Sequence, residues 1–218
     1  MELEVLPDPD AVARRGAEFV AEQARAAVAA RGRFTFAVSG GHTPWAMFAH
    51  LIDKSVPWQL TEIWQVDERI APAGDPDRNL AHLRASLPAE AEAHVHPMPV
   101  EEDDLEAAAA RYAHSLPERF DLVHLGLGPD GHTASLVPGD PVLGVTDRDV
   151  ALTGIYSGRQ RMTLTYPVLN RAFQVLWLVT GEDKVEALAR LRAGDKTIPA
   201  GRVTAEAQLI VADAATQG

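Results

Sequence analysis

Residues 120–140, FDLVHLGLGPDGHTASLVPGD, bring a histidine and a carboxylate together at the end of an apolar run. An imidazole exchanges protons near neutral pH, so His132 is a candidate general base, and Asp130 can orient it directly or through water. The bland alternative is an exposed loop histidine beside an aspartate that merely makes the PDG turn. Gly126, Gly128 and Gly131 also have the GxGxxG spacing of a dinucleotide-binding loop. That motif needs a long following helix, and Pro138-Gly139-Asp140-Pro141 stops one after about two turns. Pro129 removes a backbone donor as well. Gly128 and its neighbours are better explained as freeing space around the aspartate and histidine.

Three other segments hold reactive groups. In SGGHTP, Ser39, Gly40, Gly41, His42 and Thr43 lie between an apolar strand and a helical pattern. Glycines there admit close approach of a ligand, and the helix N-terminus favours an anion, most simply a phosphate. The lysine of a nucleotide-binding P-loop is absent. VDER offers Asp67 as an acceptor for sugar hydroxyls and Arg69 as a two-pronged donor to a phosphate or carbonyl oxygen. Arg161 in RMTLTYPVLN and Lys184 in GEDK are further cations. Lys184 falls in a helix's first turn, where the dipole disfavours it. His94 and His96 share a strand face as two metal ligands would, but no third ligand is evident, and no metal is assigned. EEDD at 101–104 suits the start of a helix.

These segments need a scaffold that brings loops together. Apolar residues at helical spacing predict a helix over 10–31. RFTFAVSGG predicts a strand and turn, TPWAMFAHLI a helix capped by Thr43 with Pro44 in its first turn, and TEIWQVDER one strand. A loop, a helix over LAHLRASL, a short extended AHVHPMPV and a helix from about 103 to 115 follow. The rhythm repeats with strands at FDLVHLGLG, DVALTGI and QRMTLTY and a short helix at PVLNRAF. QVLWLVTG is apolar enough for burial on both faces. A helix ending at Gly194 and a strand at AQLIVADAA complete the chain. Strands alternating with helices predict an α/β protein with a mainly parallel, doubly wound sheet, and nothing divides residues 1–218 into more than one domain. In such sheets ligands bind beyond the carboxyl ends of the strands, and the four reactive loops all leave those ends.

Composition narrows the classes. Among 218 residues, 31 acids against 20 bases leave a net charge of -11, which disfavours nucleic acid and anionic membrane as partners. With no cysteine there is no disulfide, thiolate nucleophile or Cys-based zinc site. The N-terminal segment has no apolar core of a signal peptide, and VLWLV is too short to span a membrane, so a cytoplasmic protein is expected.

In order along the chain, SGGHTP, DER followed by DPDRN, LGLGPDGHTASLVPG, RMTLTYPVLNRA and GEDK resemble the 6-phosphogluconolactonase family over nearly the whole length. The fifteen-residue string is the most specific of these. The resemblance implies a Rossmann-like sheet with helices on both faces, no metal or organic cofactor and no obligate protein partner. It implies hydrolysis of 6-phospho-glucono-1,5-lactone to 6-phosphogluconate. His132 would deprotonate the water and later protonate the ring oxygen, with Asp130 orienting it. Arg69 would polarise the carbonyl or bind phosphate, and the 39–43 loop, Arg161 and Lys184 would hold the 6-phosphate. Two positions depart from the family: His42 replaces the usual Ser or Thr, and DRN replaces the usual SN ending at Asn79. A related glucosamine-6-phosphate deaminase or isomerase would carry a glutamate after the histidine, and TASLVPGD has none. A non-catalytic sugar-phosphate sensor would bring a DNA-binding module, for which the chain has neither room nor a basic patch.

Overall fold

The computed structural model describes residues 1–92 and 94–218. The first half contains β1 (Glu2–Leu6), α1 (Pro9–Arg31), β2 (Phe34–Val38), α2 (His42–Leu51), β3 (Thr61–Gln65), β4 (Asp67–Arg69), α3 (Asn79–Ser86), α4 (Ala89–Glu92), β5 (Val95–His96) and α5 (Leu105–Ser115). The second contains β6 (Leu122–Leu125), β7 (Val150–Leu152), β8 (Arg161–Leu164), α6 (Tyr166–Asn170), β9 (Gln174–Val179), α7 (Val185–Arg192) and β10 (Ala207–Asp213). Seven strands form one sheet in the order β1-β10-β9-β6-β2-β3-β5, every neighbouring pair parallel. The fold is the α/β, mainly parallel arrangement that the alternating pattern predicts and the Rossmann-like sheet that the family resemblance implies.

Local chemistry explains the main elements. Asp8 accepts the N–H of Ala11 at 2.8 Å and caps α1, Pro9 occupies its first position, and Gly32 closes it with φ 76°. Gly16 lets α1 approach the sheet closely, because a Cβ there would press on Leu178 and Met47. The apolar run of β9 is buried on both faces: Leu176 and Leu178 meet α1 and α2, whereas Val175, Trp177 and Val179 meet the opposite core. That second core is closed by α5, α6 and α7. Among the described residues no helix is long and apolar enough to cross a membrane.

The structure corrects three expectations. TEIWQVDER is not one strand. It breaks at Val66, whose N–H bonds Val38 of the large sheet while its carbonyl accepts from Leu164 of β8. The segment beyond, β4, joins β8 and β7 in a separate antiparallel sheet of order β4-β8-β7. The segments DVALTGI and QRMTLTY are therefore strands, as expected, but not of the parallel sheet. β1, hidden in an acidic N-terminal sequence, pairs with β10 at the sheet edge. Its charged, half-exposed residues gave no strong apolar signal.

One core residue is out of keeping with its surroundings. His124 lies on β6 between Val38 and Leu176, on the face that packs against α1 and α2. It is fully buried, and neither ring nitrogen has a hydrogen-bond partner among the described residues. Burial pulls its pKa from 6.5 down to about 3. The unfolded chain therefore binds this proton below pH 6.5, and the folded chain does so only near pH 3. Its effect on stability is absent above that window and grows as pH falls through it. His124→Leu should remove this loss and the cost of the unpaired nitrogens. In urea unfolding, the stability lost between pH ~7.5 and ~5 should be about 2 kcal/mol smaller in the variant than in the parent chain. An equal loss in both proteins would show that His124 is not buried neutral.

Candidate active site

Because all seven strands of the large sheet point the same way, their carboxyl ends share one edge. The path of the chain reverses direction between β2 and β6, and a ligand crevice opens at such a point. Here the crevice is a cavity of about 430 Å³ walled by the loops after β2, β4, β6 and β9. Its lining includes Ser39, Gly40 and Gly41 from the first loop, His42 and Thr43 from the start of α2, and Asp67 and Arg69 from β4 itself. Gly128 and His132 come from the third loop, Lys184 from the fourth, and Arg161 from β8. Asp130 reaches the same place through His132. The residues assigned to catalysis and substrate binding from the sequence are thus brought together.

The third loop holds its dyad directly. His132 Nδ1 lies 2.6 Å from Asp130 Oδ1, which also accepts the His132 backbone N–H at 3.1 Å. Partial burial opposes the charge of Asp130, but these two bonds outweigh it and hold its pKa below the usual carboxylate value. With Nδ1 donating to the carboxylate, Nε2 is left as the basic nitrogen. No helix follows the glycines, and the segment instead makes tight turns through residue 137. Two of the three glycines have a structural reason. A Cβ on Gly128 would overlap the His132 ring, and Gly131 has φ +80° with Ile198 against it. A Cβ on Gly126 would meet nothing. The glycine spacing serves the histidine and not a dinucleotide.

Asp67 and two arginines form the floor. Asp67 is buried and accepts the Ser135 hydroxyl at 2.6 Å. Burial raises its pKa, and the Ser135 bond with the nearby charges of Arg69 and Arg161 offsets part of that rise. Arg161 is also buried, its Nε has no partner among the described residues, and burial lowers its pKa. Arg69 donates to the Asp77 carbonyl at 2.8 Å and to Asn79 Oδ1. Asn79 in turn donates to the Asp67 carbonyl at 3.1 Å and lies against Gly40, where any Cβ would overlap its amide.

At the far end, the N-terminus of α2 presents amides that have no acceptor within the helix. Thr43 does not cap that helix, as the sequence suggested; Gly41 stands at the cap position without a side-chain bond. The Thr43 hydroxyl reaches instead to Thr180, 3.0 Å away, and joins the loop after β2 to the loop after β9. Lys184 ends a short 3-10 turn, Glu182–Lys184, before α7, and pairs with Asp183 at 2.7 Å. His94 and His96 lie away from this cavity and both contact Glu62, at 3.2 and 2.6 Å. Among the described residues, no group of three His, Cys, Asp or Glu side chains is placed to hold a metal ion.

Sequence reasoning missed four contributors. Glu68 stands in VDER with nothing local to mark it apart from its neighbours, and Asn79 shows only as the end of DRN. Thr180 carries no signal of its own. Tyr156, whose hydroxyl lies 3.5 Å from both Asp130 Oδ2 and His132 Nδ1, falls in a stretch with no reactive pattern. The SG pair between two predicted strands was the one available sign that it sits on a hairpin tip.

Fold and site together define an α/β enzyme whose crevice is lined by a helix N-terminus and a histidine bonded to a carboxylate. Residues 7–211 match the family of glucosamine-6-phosphate isomerases/6-phosphogluconolactonase, and the chain belongs to that family. It is 35% identical to a 6-phosphogluconolactonase of Synechocystis sp. over 96% of this chain and 93% of that protein. The crystal structure of a 6-phosphogluconolactonase from Shewanella baltica superposes with a TM-score of 0.89 at 26% identity, covering 98% of each chain. A monomeric glucosamine-6-phosphate deaminase superposes almost as well, with a TM-score of 0.86 over 99% of this chain and 98% of that one. At 16% identity that likeness concerns the fold alone.

If the place of the His132 ring matters to the chemistry, Gly128→Ala should displace it and lower kcat/KM on the order of 100-fold. The melting temperature should stay close to that of the parent chain, since the residue lies in a loop. Unchanged kinetics in a folded variant would mean that the ring position is not critical.

Proposed function

We propose that the chain hydrolyses 6-phospho-glucono-1,5-lactone to 6-phosphogluconate, in the oxidative pentose phosphate pathway, as one catalytic domain. The relatives named 6-phosphogluconolactonase support the reaction. The observation that carries the mechanism is the direct His132–Asp130 bond at the edge of the crevice, which leaves Nε2 free. In this reading Nε2 takes a proton from water as the oxygen attacks the lactone carbonyl. The resulting oxyanion is stabilised by the positive charge of Arg69 and Arg161, which pair across β4 and β8. Collapse breaks the bond to the ring oxygen, which receives the proton held on His132. Water is consumed, the ring opens to a hydroxyl and a carboxylic acid that loses its proton to solvent, and no covalent enzyme intermediate forms.

The 6-phosphate would sit at the α2 N-terminus among Ser39, Gly40, Gly41, His42 and Thr43, with Lys184 alongside. The Thr43–Thr180 bond supports this by drawing the Lys184 loop to that terminus. Binding at this remote end sets the carbonyl against the water, so its energy is used for positioning. Asp67 would accept sugar hydroxyls. The compartment in this reading is the cytoplasm, in keeping with a chain that uses no cysteine.

The test compares the parent chain with His132→Ala on freshly generated lactone, after subtraction of spontaneous hydrolysis, with ammonia release from glucosamine-6-phosphate measured in parallel. The expected outcome is rapid lactone opening, a variant near background and no ammonia. Ammonia release without lactone opening would move the chain to the deaminase side of the family. Full activity in the variant would remove His132 from the mechanism.

A further inference from the structure

Asp130 uses one carboxylate oxygen, Oδ1, for both of its bonds to His132. Its other oxygen, Oδ2, has a single hydrogen-bond partner among the described residues, the Tyr156 hydroxyl at 3.5 Å. Left with Oδ1 alone, a half-exposed carboxylate can turn about its terminal torsion, and the imidazole turns with it. The Tyr156 ring also meets the His132 ring edge to face, with centroids 5.4 Å apart, and its π face lies 5.0 Å from the Arg161 guanidinium carbon. One side chain therefore touches the base, the carboxylate that orients the base, and a cation of the crevice.

The hairpin that carries it is held with some force. Tyr156 and Arg159 exchange backbone bonds of 2.9 and 3.2 Å across a two-residue turn. Both central residues are left-handed, Ser157 at φ 51° and Gly158 at φ 79°. Glycine adopts this conformation freely and serine does not, so the turn is kept by its surroundings. Arg159 supplies that hold, reaching Asp75 at 2.9 Å and Asp77 at 3.2 Å on the loop after β4. The carbonyl of Asp77 accepts from Arg69. The Tyr156 hairpin, the loop after β4 and the crevice arginine are thus one connected unit.

We propose that Tyr156 is a positioning residue for the hydrolysis: its hydroxyl fixes Asp130, and through it the His132 ring, while its face holds Arg161. This rests on the reading of His132 as general base. The two contacts are separable, because Phe keeps the ring and loses the hydroxyl, whereas Ala loses both. The long hydroxyl distance agrees with a bond that tightens when substrate closes the site.

The experiment measures kcat and KM for lactone hydrolysis in the parent chain, Tyr156→Phe, Tyr156→Ala and His132→Ala, each first checked for an unchanged thermal transition. Tyr156→Phe should lower kcat by about fivefold to tenfold, the worth of one hydrogen bond, with KM within about twofold. Tyr156→Ala should lower kcat further and also raise KM, since Arg161 loses its platform. Parent-like kcat in Tyr156→Phe, beside an inactive His132→Ala, overturns the proposal and leaves the base in place; Tyr156 is then a wall of the crevice. A rise in KM alone in Tyr156→Phe also overturns it, because the hydroxyl then binds substrate. Full activity in His132→Ala sinks the base and the positioning role together.

Discussion

The Glu68 carboxylate is fully buried, and the layout of the crevice depends on it. It accepts the Gln65 side-chain amide at 2.9 Å and the backbone N–H groups of Arg69, Asn79 and Leu80, each at 2.8 Å. The buried Arg78 guanidinium lies 3.2 Å away. A buried charge is tolerable only when paired and bonded in this way, and removing one partner of such a pair is strongly destabilising. Here the consequence is positional as well. Glu68 fastens β4 to the start of α3, so that Asp67 and Arg69 on either side of it face the crevice and Asn79 stands against Gly40. Arg78 extends the tie to Glu101 at 2.8 Å, outside the crevice.

The parallel sheet supplies the other half of the positioning. It fixes where the loops after β2, β6 and β9 begin, but not how they turn toward each other. That is left to short polar contacts between loops: Thr43 with Thr180, Ser135 with Asp67, and Asn79 with the Asp67 carbonyl. Asp213, at the end of β10, adds to these by accepting the Gly181 N–H with both oxygens. Loops so tied can present side chains as precisely as strands do, at a surface where they remain open to ligand.

Much of this was legible in the residues because the signals were local. A long helix with Asp8, Pro9 and Gly32 at its ends, a doubly buried strand at QVLWLV, and a histidine two residues from an aspartate are all statements about neighbours in sequence. Gly128 could be read as making room because its occupant, His132, is four residues on. What stayed hidden depended on partners far along the chain. Gly40 requires Asn79, Glu68 requires Arg78, and Tyr156 meets Asp130 across 26 residues. The break at Val66 was invisible for the same reason, since it is set by bonds to Val38 and Leu164. β1 failed for another reason: an edge strand with one solvated face has too little apolar content to stand out.

Charge gives the crevice its direction. The chain carries a net charge of -11, so an anionic sugar phosphate approaches a repelling surface and must be captured at short range. Arg69, Arg161 and Lys184 line the crevice and would supply that capture in the reading proposed, while burial raises the pKa of Asp67 between them. Asp130 is different, because its bonds to His132 keep it ionised. For the hydrolysis proposed, the lactone carbonyl is neutral on arrival and becomes a carboxylate. The phosphate contacts are the same before and after, so the new charge is the main difference between substrate and product. That charge forms where Arg69 and Arg161 would hold the oxyanion, so in the reading proposed the cations that favour ring opening also attract the opened acid.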